Sequence, residues 1–400
     1  MNNDFLIEIK RGLVNLISEE ELIKKLSYNR ALRIKFGIDP TASDLHLGHT
    51  VLLNKLELFQ KKGHKIVFII GDFTSRIGDP SGRSETRPIL SDDEILFNAE
   101  KIKSQISKIL DINKLEIHYN SEWLTDIFSK KNIFSTLKNI FAKYTVQQLM
   151  ERDDFTKRKK EGIGISLLEL LYPIFQGYDS VAVNSDIEIG GSDQLFNLLI
   201  GRQLQQDFGK EPQVIMTLPL LLGIDGVRKM SKSYKNYIGL TEEPKQIYGK
   251  LMSIPDSLML SYFELLTDLD LDKIKELIKQ QPKQAKSKLS YYITAKCYNE
   301  TIAKTAQEEF DNIFSKKKLP ENIPEFILEK GEKISHIISD LAKISKKEVK
   351  RLLLQNAIEI TFDRENFKVV NEDILINNDF IVRVGKYRFF SIKFSKKNII

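Results

Sequence analysis

The stretch RIKFGIDPTASDLHLGHTVLLNKLELFQKKGHKIVFIIGD, residues 33–72, decides the fold of this 400-residue chain. In RIKFGID apolar residues alternate with charged ones and stop at Pro40, a pattern that predicts a β-strand. Ser43 or Asp44 can then cap a helix whose apolar residues recur at helical spacing, and Gly63 is placed to end it. The continuously apolar KIVFIIGD predicts a strand that is covered on both faces. Strand, helix and buried strand in this order indicate a right-handed βαβ unit of a parallel sheet.

A second half with the same pattern follows a helical stretch at about 91–165. Residues 180–186, SVAVNSD, predict a strand, GGSDQ a loop, LFNLLIGRQLQQDFG a helix and PQVIMTLPLLL another strand. The sheet therefore resumes after an insertion at about 120–165, and the whole pattern predicts an α/β fold with a Rossmann-like parallel sheet. Ligands of such sheets bind at the carboxyl ends of the strands, so GIDPTASD and GDFTSRIGDPSG are the expected binding loops.

Beyond the second half the sequence pattern changes twice. Residues 241–318 are helical in pattern and poor in strands, which predicts a helical domain after the Rossmann-like domain of residues 1–240. A polar stretch rich in Lys, Glu and Pro predicts a linker at 319–333. Residues 334–400 begin with SHIISDLAKISKKEVKRLLLQNAIEI and end in alternating stretches such as IVRVGKYRFFSIKF, so we expect a small α+β domain there.

Composition limits the class of protein. The chain is 42% hydrophobic and 29% charged, as is usual for soluble globular proteins, and it contains no run of about 18 apolar residues that would predict a membrane span. Its N-terminal stretch lacks the pattern of a signal peptide. A single cysteine, Cys297, can form neither an internal disulfide nor a CxxC cluster, so we expect a cytoplasmic location and no structural metal. The net charge of +6 allows a polyanionic partner without demanding one.

HLGH, residues 46–49, places two histidines near the start of the predicted helix. His46 and His49 can face the same side as the unsatisfied backbone N–H groups, which suits an anion whose charge grows during a reaction. Gly48 removes a side chain where a flat ligand could lie against the backbone. The alternatives are two surface histidines or a metal site, although the latter lacks a third ligand nearby in the sequence.

KMSKS supplies positive charge in a second loop. Lys229 and Lys232 lie among serines after a turn that contains Gly and Asp, a composition that suits a mobile arm carrying two ammonium groups to a polyphosphate. The alternative is a solvated charged turn. The joint occurrence of HLGH and KMSKS, each after a predicted strand, favours the functional interpretation. No GxxxxGK[ST] stretch occurs, so a P-loop kinase or ATPase is disfavoured.

HLGH and KMSKS resemble the two signature motifs of class I aminoacyl-tRNA synthetases. The surrounding KFGIDPT and GDFTSRIGDPSGR are similar to bacterial tyrosyl-tRNA synthetases, and the resemblance runs from about residue 30 to the C-terminus. It implies that ATP, accompanied by Mg²⁺, activates L-tyrosine to an adenylate with loss of pyrophosphate, and that the tyrosyl group is then transferred to the terminal ribose of tRNA(Tyr). It also implies a homodimer, with the insertion at 120–165 supplying much of the contact.

The resemblance implies roles for residues that match the family's motifs. Those expected at the ATP phosphates are Thr41, His46, His49, Lys229 and Lys232. Those expected at the adenosine are Gly48, Gly191 and Asp193. Those expected around the tyrosine are Gly37, Asp39, Asp79, Tyr172, Gln176, Asp179 and Gln194.

Within the tyrosine set the resemblance implies a division of labour. Asp79, Tyr172 and Gln176 would bind the ammonium group, Asp179 would accept the hydrogen bond of the phenolic hydroxyl, and Gln194 would lie between the substrate carboxylate and the ribose. Tyr172, Gln176 and Asp179 stand at i, i+4 and i+7, so one helix face can present all three to a pocket. The alternative is an amphipathic helix with a polar stripe. A pocket that binds the hydroxyl needs no editing domain to reject phenylalanine, and none is apparent.

One position departs from the family's best-known branch. That branch has a tyrosine, four residues before the aspartate of GxDPT, that also contacts the substrate hydroxyl, whereas this chain has Lys35. Lys35 is either a ligand or a strand residue that faces away.

The C-terminal segment SKKEVKRLLLQNAIEI resembles the S4 RNA-binding domain, with Asn356 where a glycine is usual. Residues 331–400 contain 14 Lys and Arg against 9 Asp and Glu, a surplus of 5 in a chain of net charge +6. Four basic residues suit phosphate contacts that position an RNA without reading its bases; they are Lys346, Lys347, Lys350 and Arg351. The alternative is a solvated helix. The resemblance implies contact with the long variable arm of bacterial tyrosine tRNA.

Two other functions stay open from sequence. One is a tryptophanyl-tRNA synthetase, against which YPIFQGYD and the S4-like segment weigh. The other is a non-catalytic RNA-binding relative that kept the fold, against which the intact HLGH and KMSKS argue.

Overall fold

The structure is a computed structural model that describes residues 3–80, 90–314, 323–328, 331–364, 366–385 and 388–394. Contacts divide the chain into two compact units, Met1–Ile302 and Ala303–Ile400. Parts of the predicted linker, of GDFTSRIGDPSGR and of the C-terminal segment lie outside the described residues.

The first unit contains a sheet and the helices that surround it. Its strands are β1 Asn15–Ile17, β2 Arg33–Ile38, β3 Lys65–Ile70, β4 Leu115–Tyr119, β5 Ile187–Gly191 and β6 Val214–Leu218. Its helices are α1 Asn3–Lys10, α2 Glu19–Leu26, α3 Leu47–Lys61, α4 Asp92–Ile106, α5 Ser121–Ile127, α6 Ile133–Asn139, α7 Val146–Leu149, α8 Asp153–Lys160, α9 Leu167–Ala182, α10 Leu195–Asp207, α11 Pro244–Met252, α12 Met259–Leu266, α13 Leu271–Gln280 and α14 Pro282–Cys297.

The sheet of the first unit has the order β1-β6-β5-β2-β3-β4. The pairs from β6 to β4 are parallel, and β1 runs antiparallel at one edge. The five parallel strands therefore follow the 3-2-1-4-5 order of a Rossmann-type sheet, whose strand order reverses between β2 and β5. The predicted fold class is confirmed, and the reversal point marks where a ligand is expected.

The βαβ unit of residues 33–72 forms as predicted, with one correction. Helix α3 begins at Leu47 with His46 as its N-cap, so the predicted caps Ser43 and Asp44 are wrong. The reason is a backbone pairing that sequence periodicity does not reveal: the Leu47 N–H donates to the Ile238 carbonyl at 3.0 Å and keeps the chain before the helix extended.

The remaining features of this unit agree with the sequence pattern. Gly63 follows α3 with a φ of +82°, a left-handed conformation that glycine adopts without a steric penalty. Strand β3 is buried along Ile66–Ile70, as expected for a strand covered on both faces.

Two predictions about strands in the second half are wrong. SVAVNSD is not a strand, because α9 continues to Ala182 and buries Ser180 and Val181 within the helix; the strand is the next segment, β5. A strand, β4, also lies within the stretch that the pattern predicts to be helical. The alternating apolar residues of SVAVNSD fit a strand, but Ser180 lies in the last turns of α9 and binds Lys35 and Glu188 of the neighbouring strands.

Helices α11 to α14, which follow residue 240, belong to the first unit. Side chains from β2, β3 and α3 share one hydrophobic cluster with side chains from α11, α12 and α14, and examples are Phe36, Phe68, Phe59, Leu251, Phe263 and Leu289. The predicted boundaries of the three domains are not tested by this packing and stay predictions.

The second unit is built around its own core. It contains α15 Glu300–Phe314, which begins at the end of the first unit, and then β7 Glu325–Leu328, β8 Glu332–Lys333, α16 Ile334–Ala342, α17 Lys346–Leu354, β9 Ile358–Thr361, β10 Lys368–Val369, β11 Leu375–Ile376, β12 Phe380–Val384 and β13 Arg388–Phe394. The sheets have the orders β10-β9-β12-β13-β7 and β11-β8. Ile334, Ile338, Val349 and Val382 lie in a separate cluster, so the predicted small unit of helices and strands is present.

Asn356, which lies just after the end of α17, has a left-handed backbone conformation with a φ of +53°. Asparagine tolerates this region better than other residues with a β-carbon, which explains how the chain accommodates an asparagine where a glycine is usual. Across the described ranges no helix is both long and apolar enough to span a membrane.

Candidate active site

A cavity of about 680 Å³ opens at the carboxyl ends of β2 and β5. It is lined by all but one of the residues that the sequence predicts for the phosphates, the adenosine and the tyrosine, namely Gly37, Asp39, Thr41, His46, Gly48, His49, Asp79, Tyr172, Gln176, Asp179, Gly191, Asp193, Gln194 and Lys229. The exception is Lys232, which binds Asp44 beside the cavity. The structure therefore brings together residues that are far apart in the sequence.

The two histidines of HLGH orient each other at the N-terminus of α3. The His46 N–H donates to His49 Nδ1 at 3.1 Å, and the Gly48 N–H donates to His46 Nδ1 at 3.2 Å. Because both Nδ1 atoms accept backbone hydrogen bonds, each neutral ring carries its proton on Nε2. The helix end thus offers two Nε2–H donors, whereas the backbone N–H groups of residues 46–49 already donate hydrogen bonds within the chain.

Burial keeps both imidazoles neutral. Burial, the neighbouring His49 and Lys232 lower the pKa of His46 to about 2. Burial, opposed by the hydrogen bond from the His46 backbone, lowers the pKa of His49 to about 4. The pair therefore presents two neutral N–H donors and no fixed positive charge.

The KMSKS loop is attached by its backbone to the segment that contains HLGH. The Leu240 N–H donates to the Leu45 carbonyl at 3.1 Å, and the Met230 N–H donates to the Leu221 carbonyl at 2.8 Å. His46 also forms an isolated β-bridge with Gly239. The two motifs therefore lie side by side although about 180 residues separate them.

The lysines of the loop are held by carboxylates. Lys232 Nζ lies 2.5 Å from Asp44 Oδ2, and Lys229 Nζ lies 3.7 Å from Asp193 Oδ2. Burial raises the pKa of the Asp193 carboxyl, and the charge of Lys229 opposes that rise. Both lysine side chains are about one-third exposed, so they can exchange these partners for a phosphate.

Asn236 is a residue of this loop that the sequence analysis missed. It is 2% exposed, and its Oδ1 accepts a hydrogen bond from the Ser231 N–H at 2.9 Å. Its Nδ2 donates to Asp225 Oδ2 at 3.0 Å and to the Lys229 carbonyl at 3.2 Å. Asn236 thus fixes the loop's shape, and a lone asparagine in a polar sequence gives no signal of that role. Arg228, also without an assigned role, binds Asp225.

The part of the cavity that contains the predicted tyrosine-binding residues is called the amino-acid end. Its floor is built around Asp39. Tyr172 donates its hydroxyl hydrogen to Asp39 Oδ2 at 2.9 Å, and Thr74 donates to Asp39 Oδ1 at 2.7 Å. Burial and the Asp39 carboxylate raise the pKa of Tyr172, so its hydroxyl stays protonated. A β-carbon at Gly71 would lie 2.1 Å from Asp39 Oδ1, which explains the glycine at the end of β3.

Asp79 and three side-chain amides form a connected polar group. Gln194 Nε2 donates to Asp79 Oδ2 at 2.7 Å. Asn197 Nδ2 donates to Gln176 Oε1 at 2.8 Å and to Gln194 Oε1 at 3.1 Å. Arg152, which is buried, donates to Asn197 Oδ1 at 2.7 Å and comes within 3.9 Å of Asp79 Oδ1. The sequence analysis missed Arg152 and Asn197 because neither stands in a motif.

Asp179 lies at the bottom of the cavity. Trp123 Nε1 donates to Asp179 Oδ1 at 2.8 Å, and Asn120 Nδ2 lies 3.5 Å from Asp179 Oδ2. Burial raises the pKa of Asp179 to about 7, while the charge of Lys35 and these hydrogen bonds oppose the rise. The carboxylate keeps free lone pairs, so it can accept a further hydrogen bond from a ligand.

The side chain of Lys35 faces the cavity and is 1% exposed. Its Nζ lies 2.7 Å from Glu188 Oε1 and donates to Ser180 Oγ at 2.8 Å and to the Gln176 carbonyl at 2.9 Å. An ammonium group has three hydrogens, and all three are used. Of the two possibilities left by the sequence, a strand residue that faces away is wrong, and the ammonium has no hydrogen left for a ligand.

In the second unit, the basic residues of the S4-like segment lie on α17. Lys346, Lys347, Lys350 and Arg351 are exposed, whereas Val349 and Leu353 on the other face are buried. Arg351 is bound by Glu348, with Nε to Oε2 at 3.0 Å. The helix therefore presents three lysine charges and one partly neutralised arginine to the surroundings.

Metal ligands are not grouped in the part of the chain that the structure describes: no set of three His, Cys, Asp or Glu side chains is placed to hold an ion. The end of the cavity at HLGH and KMSKS is lined by imidazole, ammonium and hydroxyl groups, and the carboxylates of Asp44 and Asp193 at this end are paired with lysines. Mg²⁺ prefers carboxylate, phosphate and water oxygens, so a magnesium ion at this end would be bound mainly through the oxygens of a nucleotide.

Comparison with known proteins agrees with this geometry. The sequence pattern of the family described as class I tRNA synthetases (W and Y) matches residues 27–315. The chain is 46% identical to the tyrosine–tRNA ligase of Thermotoga maritima, over 96% of each chain. It is 47% identical to the tyrosine–tRNA ligase of Aquifex aeolicus, over 96% of this chain and 97% of that one.

Solved structures share the fold. The mitochondrial tyrosyl-tRNA synthetase of Aspergillus nidulans, truncated at its C-terminus, superposes with a TM-score of 0.65 at 22% identity, over 78% of this chain and 94% of the other. The tyrosyl-tRNA synthetase of Archaeoglobus fulgidus in complex with L-tyrosine gives 0.62 at 21% identity, over 76% and 99%.

The fold, the two motifs at one helix end and these matches define the class of protein: the chain belongs to the class I tRNA synthetases. Within that family it groups with the tyrosine–tRNA ligases, since its relatives of nearly equal length carry that activity. It is therefore an ATP-dependent enzyme of protein biosynthesis.

Proposed function

We propose that this chain activates L-tyrosine with ATP to tyrosyl-adenylate and pyrophosphate, and then transfers the tyrosyl group to the terminal ribose of tRNA(Tyr). The observation that carries the proposal is the single cavity that joins a buried carboxylate, Asp179, at one end to His46, His49 and Lys229 at the other. A phenolic hydroxyl and a triphosphate are the groups that these two ends suit.

At the amino-acid end, recognition would rest on hydrogen bonds. Asp179 would accept the substrate hydroxyl, while Asp79, Tyr172 and Gln176 would receive the ammonium group. Phenylalanine would leave Asp179 buried without its partner, and such a pocket rejects the analogue by about 10⁴ to 10⁵, a magnitude known from tyrosyl-tRNA synthetases themselves.

At the phosphate end, the neutral histidines and the lysines would act on different charges. His46 and His49 would donate Nε2–H bonds to the phosphate oxygens as negative charge grows in the transition state, with Thr41 beside them. Lys229 and Lys232 would exchange their carboxylate partners for the leaving pyrophosphate. Mg²⁺ would enter with ATP and screen the charge of the phosphates.

The adenosine would lie between the two motifs. Gly48 leaves room for the flat base against the start of α3, and Gly191 leaves room beside Asp193, which would accept hydrogen bonds from the ribose. Gln194 would lie between the ribose and the substrate carboxylate, where its amide is already held by Asn197.

Binding of tRNA(Tyr) would involve the S4-like segment, where exposed Lys346, Lys347 and Lys350 can contact phosphates. A homodimer through the insertion at 120–165 is supported by apolar side chains that are exposed in the single chain, including Phe134 at 82% and Val146 at 65%. The cytoplasmic location and the three-domain division inferred from sequence stay predictions.

The test is pyrophosphate exchange into ATP stimulated by tyrosine, measured beside tryptophan and phenylalanine, followed by charging of tRNA(Tyr). We expect exchange with tyrosine alone. Exchange stimulated by tryptophan but not by tyrosine would replace the proposal with the tryptophan enzyme. Binding of tRNA without any exchange would leave a non-catalytic RNA-binding relative.

Removing residues 334–400 tests the assignment of the second unit. Because the cavity is built entirely from the first unit, we expect the truncated chain to form tyrosyl-adenylate at the full rate and to lose most of its charging of tRNA(Tyr). Adenylate formation and charging are measured on the same preparation. Activation that falls as far as charging would contradict this separation.

A further inference from the structure

The strongest unexplained feature beside the cavity is a buried ion pair. Lys35 on β2 and Glu188 on β5 are 1% and 3% exposed, and their charged atoms are 2.7 Å apart. Burying two charges is expensive, and a buried pair often contributes little net stability. A pair of this kind beside a substrate pocket therefore calls for a function other than stability.

The pair is fully hydrogen-bonded. Besides its bonds to Lys35, Glu188 accepts from Ser180 Oγ at 3.0 Å and from Gln213 Nε2. Lys35 in turn binds Ser180 and the Gln176 carbonyl on α9. The ammonium is thus fixed against the helix turn that carries Asp179, with no hydrogen left to offer a ligand.

Asp179 is surrounded by groups from several elements. The Trp123 indole and the Asn120 amide reach it from the segment around α5, and Lys35 and Glu188 act on it from the sheet. Tyr172 lies on the same helix as Asp179, whose charge contributes to the raised pKa of Tyr172. Lys35 is the positive charge among these groups, and of the two ionised neighbours it has the larger effect on Asp179.

We propose that Lys35 is a positioning residue for specificity: its fixed ammonium keeps Asp179 ionised as the acceptor for the substrate hydroxyl, and Glu188 limits that effect. This inference rests on the proposed activation of tyrosine. It differs from a direct contact between Lys35 and the substrate, because Lys35 acts through the charge state of another side chain.

The sign of the effect is fixed by the charges. A nearby positive charge lowers the pKa of a carboxyl group and a nearby negative charge raises it. Burial holds the pKa of Asp179 at about 7, so a modest change in its surroundings decides whether it is ionised near neutral pH. Loss of Lys35 raises this pKa even if Glu188 then takes up a proton, and loss of the Glu188 charge lowers it.

The experiment measures kcat/KM for tyrosine in pyrophosphate exchange as a function of pH, because this quantity reports the ionisation of the free enzyme. The variants are Lys35→Met and Glu188→Gln, whose amide oxygen can still accept from Lys35. The control is Lys55→Met, which removes another buried lysine, bound to the carbonyls of Glu8 and Arg11. All variants use the same substrate, so its own titration cancels.

We expect the acid limb of the profile to move up by about one pH unit in Lys35→Met, a loss of about tenfold below the midpoint. It should move down in Glu188→Gln and stay in place in Lys55→Met. A variant that merely folds less well lowers the amplitude without moving the midpoint, so the opposite shifts are specific to the proposed role.

Three results would overturn the inference. Midpoints that do not move, or that move in the same direction in both variants, would remove the electrostatic role of Lys35. A loss in Lys35→Met that is equal at every pH would show that the lysine does not act through the charge state of Asp179. Absence of tyrosine-dependent exchange in the unmodified enzyme would instead refute the proposed function itself, and the inference with it.

Discussion

The two ends of the cavity hold their polar groups in opposite ways. At the amino-acid end Asp39, Asp79 and Asp179 are each bound by neutral donors on neighbouring elements. At the phosphate end Lys229 and Lys232 are bound by single carboxylates on other loops. A substrate can therefore enter the first end without breaking a close ion pair, since Arg152 stays 3.9 Å from Asp79, whereas a phosphate bound by the two lysines would replace an ion pair at the second. From this difference we expect that the first end selects the substrate and that the lysine loop at the second end changes its partners during the reaction.

The largest effect is expected at the phosphate end, where the lysines change partners. Lys232→Ala should leave the affinity for tyrosine unchanged and slow adenylate formation by about 10² to 10³, because the lysine's contact is made mainly in the transition state. Tyrosine dissociation constants and single-turnover rates check this. Lys235→Ala, which removes a charge from the same loop, is the control and should change neither. Equal losses of affinity and rate would sink the assignment.

The selecting end is tested by Asp179→Asn. The amide has the size of the carboxylate but no charge, so the preference for tyrosine over phenylalanine should fall by about 10². The ratio of kcat/KM for the two amino acids in pyrophosphate exchange measures it. An unchanged ratio would rule out Asp179 as the group that recognises the hydroxyl.

A smaller effect is expected for Asn236→Ala, which tests whether the loop depends on its buried amide. Loss of the bonds to Ser231, Asp225 and Lys229 should destabilise the ordered loop by about 1 to 3 kcal/mol. We expect this loss to appear as an increased KM for ATP. Tyrosine affinity, set at the other end, should not change. If tyrosine affinity fell as much as ATP affinity, the two ends would not be independent.

The smallest effect is a null result for the histidines. Because the pKa of His46 is about 2 and that of His49 about 4, their ring resonances in NMR should not titrate between about pH 5 and 8. His118 is the comparison, since Glu116 and Glu122 outweigh its burial and raise its pKa. A titration of either motif histidine near its ordinary value would show that charge, and not fixed dipoles, acts at the phosphates.

The same pKa values predict how stability changes with pH. In the unfolded chain both histidines have their ordinary pKa of about 6.5. In the folded chain the pKa is about 4 for His49 and about 2 for His46. The free energy of unfolding should therefore decrease as the pH falls below about 6.5. Denaturant unfolding at several pH values, with His49→Asn as the comparison, measures this contribution.

Sequence was sufficient where a residue's role depends on its near neighbours. The βαβ unit of residues 33–72 has a local period, and HLGH and KMSKS are short enough to be recognised whole. It was insufficient where the role depends on distant backbone. Helix α3 begins at Leu47 because residues 45–47 pair with 238–240, and no local propensity encodes that pairing.

The same limit applies to the cavity. The motif residues that line it could be predicted from the family resemblance, but Arg152, Asn197 and Asn236 could not, because each acts on a motif residue from outside any motif. Lys35 shows the limit most clearly. Its partner Glu188 is more than 150 positions away, and only the adjacency of β2 and β5 decides that the lysine faces inward.

The ion pairs of the lysine loop have a consequence for the timing of the reaction. In the proposed mechanism Lys232 must leave Asp44 before it can contact the phosphates in the transition state, so molecules that keep this ion pair lower the observed rate of adenylate formation. The same carboxylate is ready to recapture the lysine after the bond to the leaving phosphates weakens. The ion pair would thus slow the activation step and speed the release of pyrophosphate.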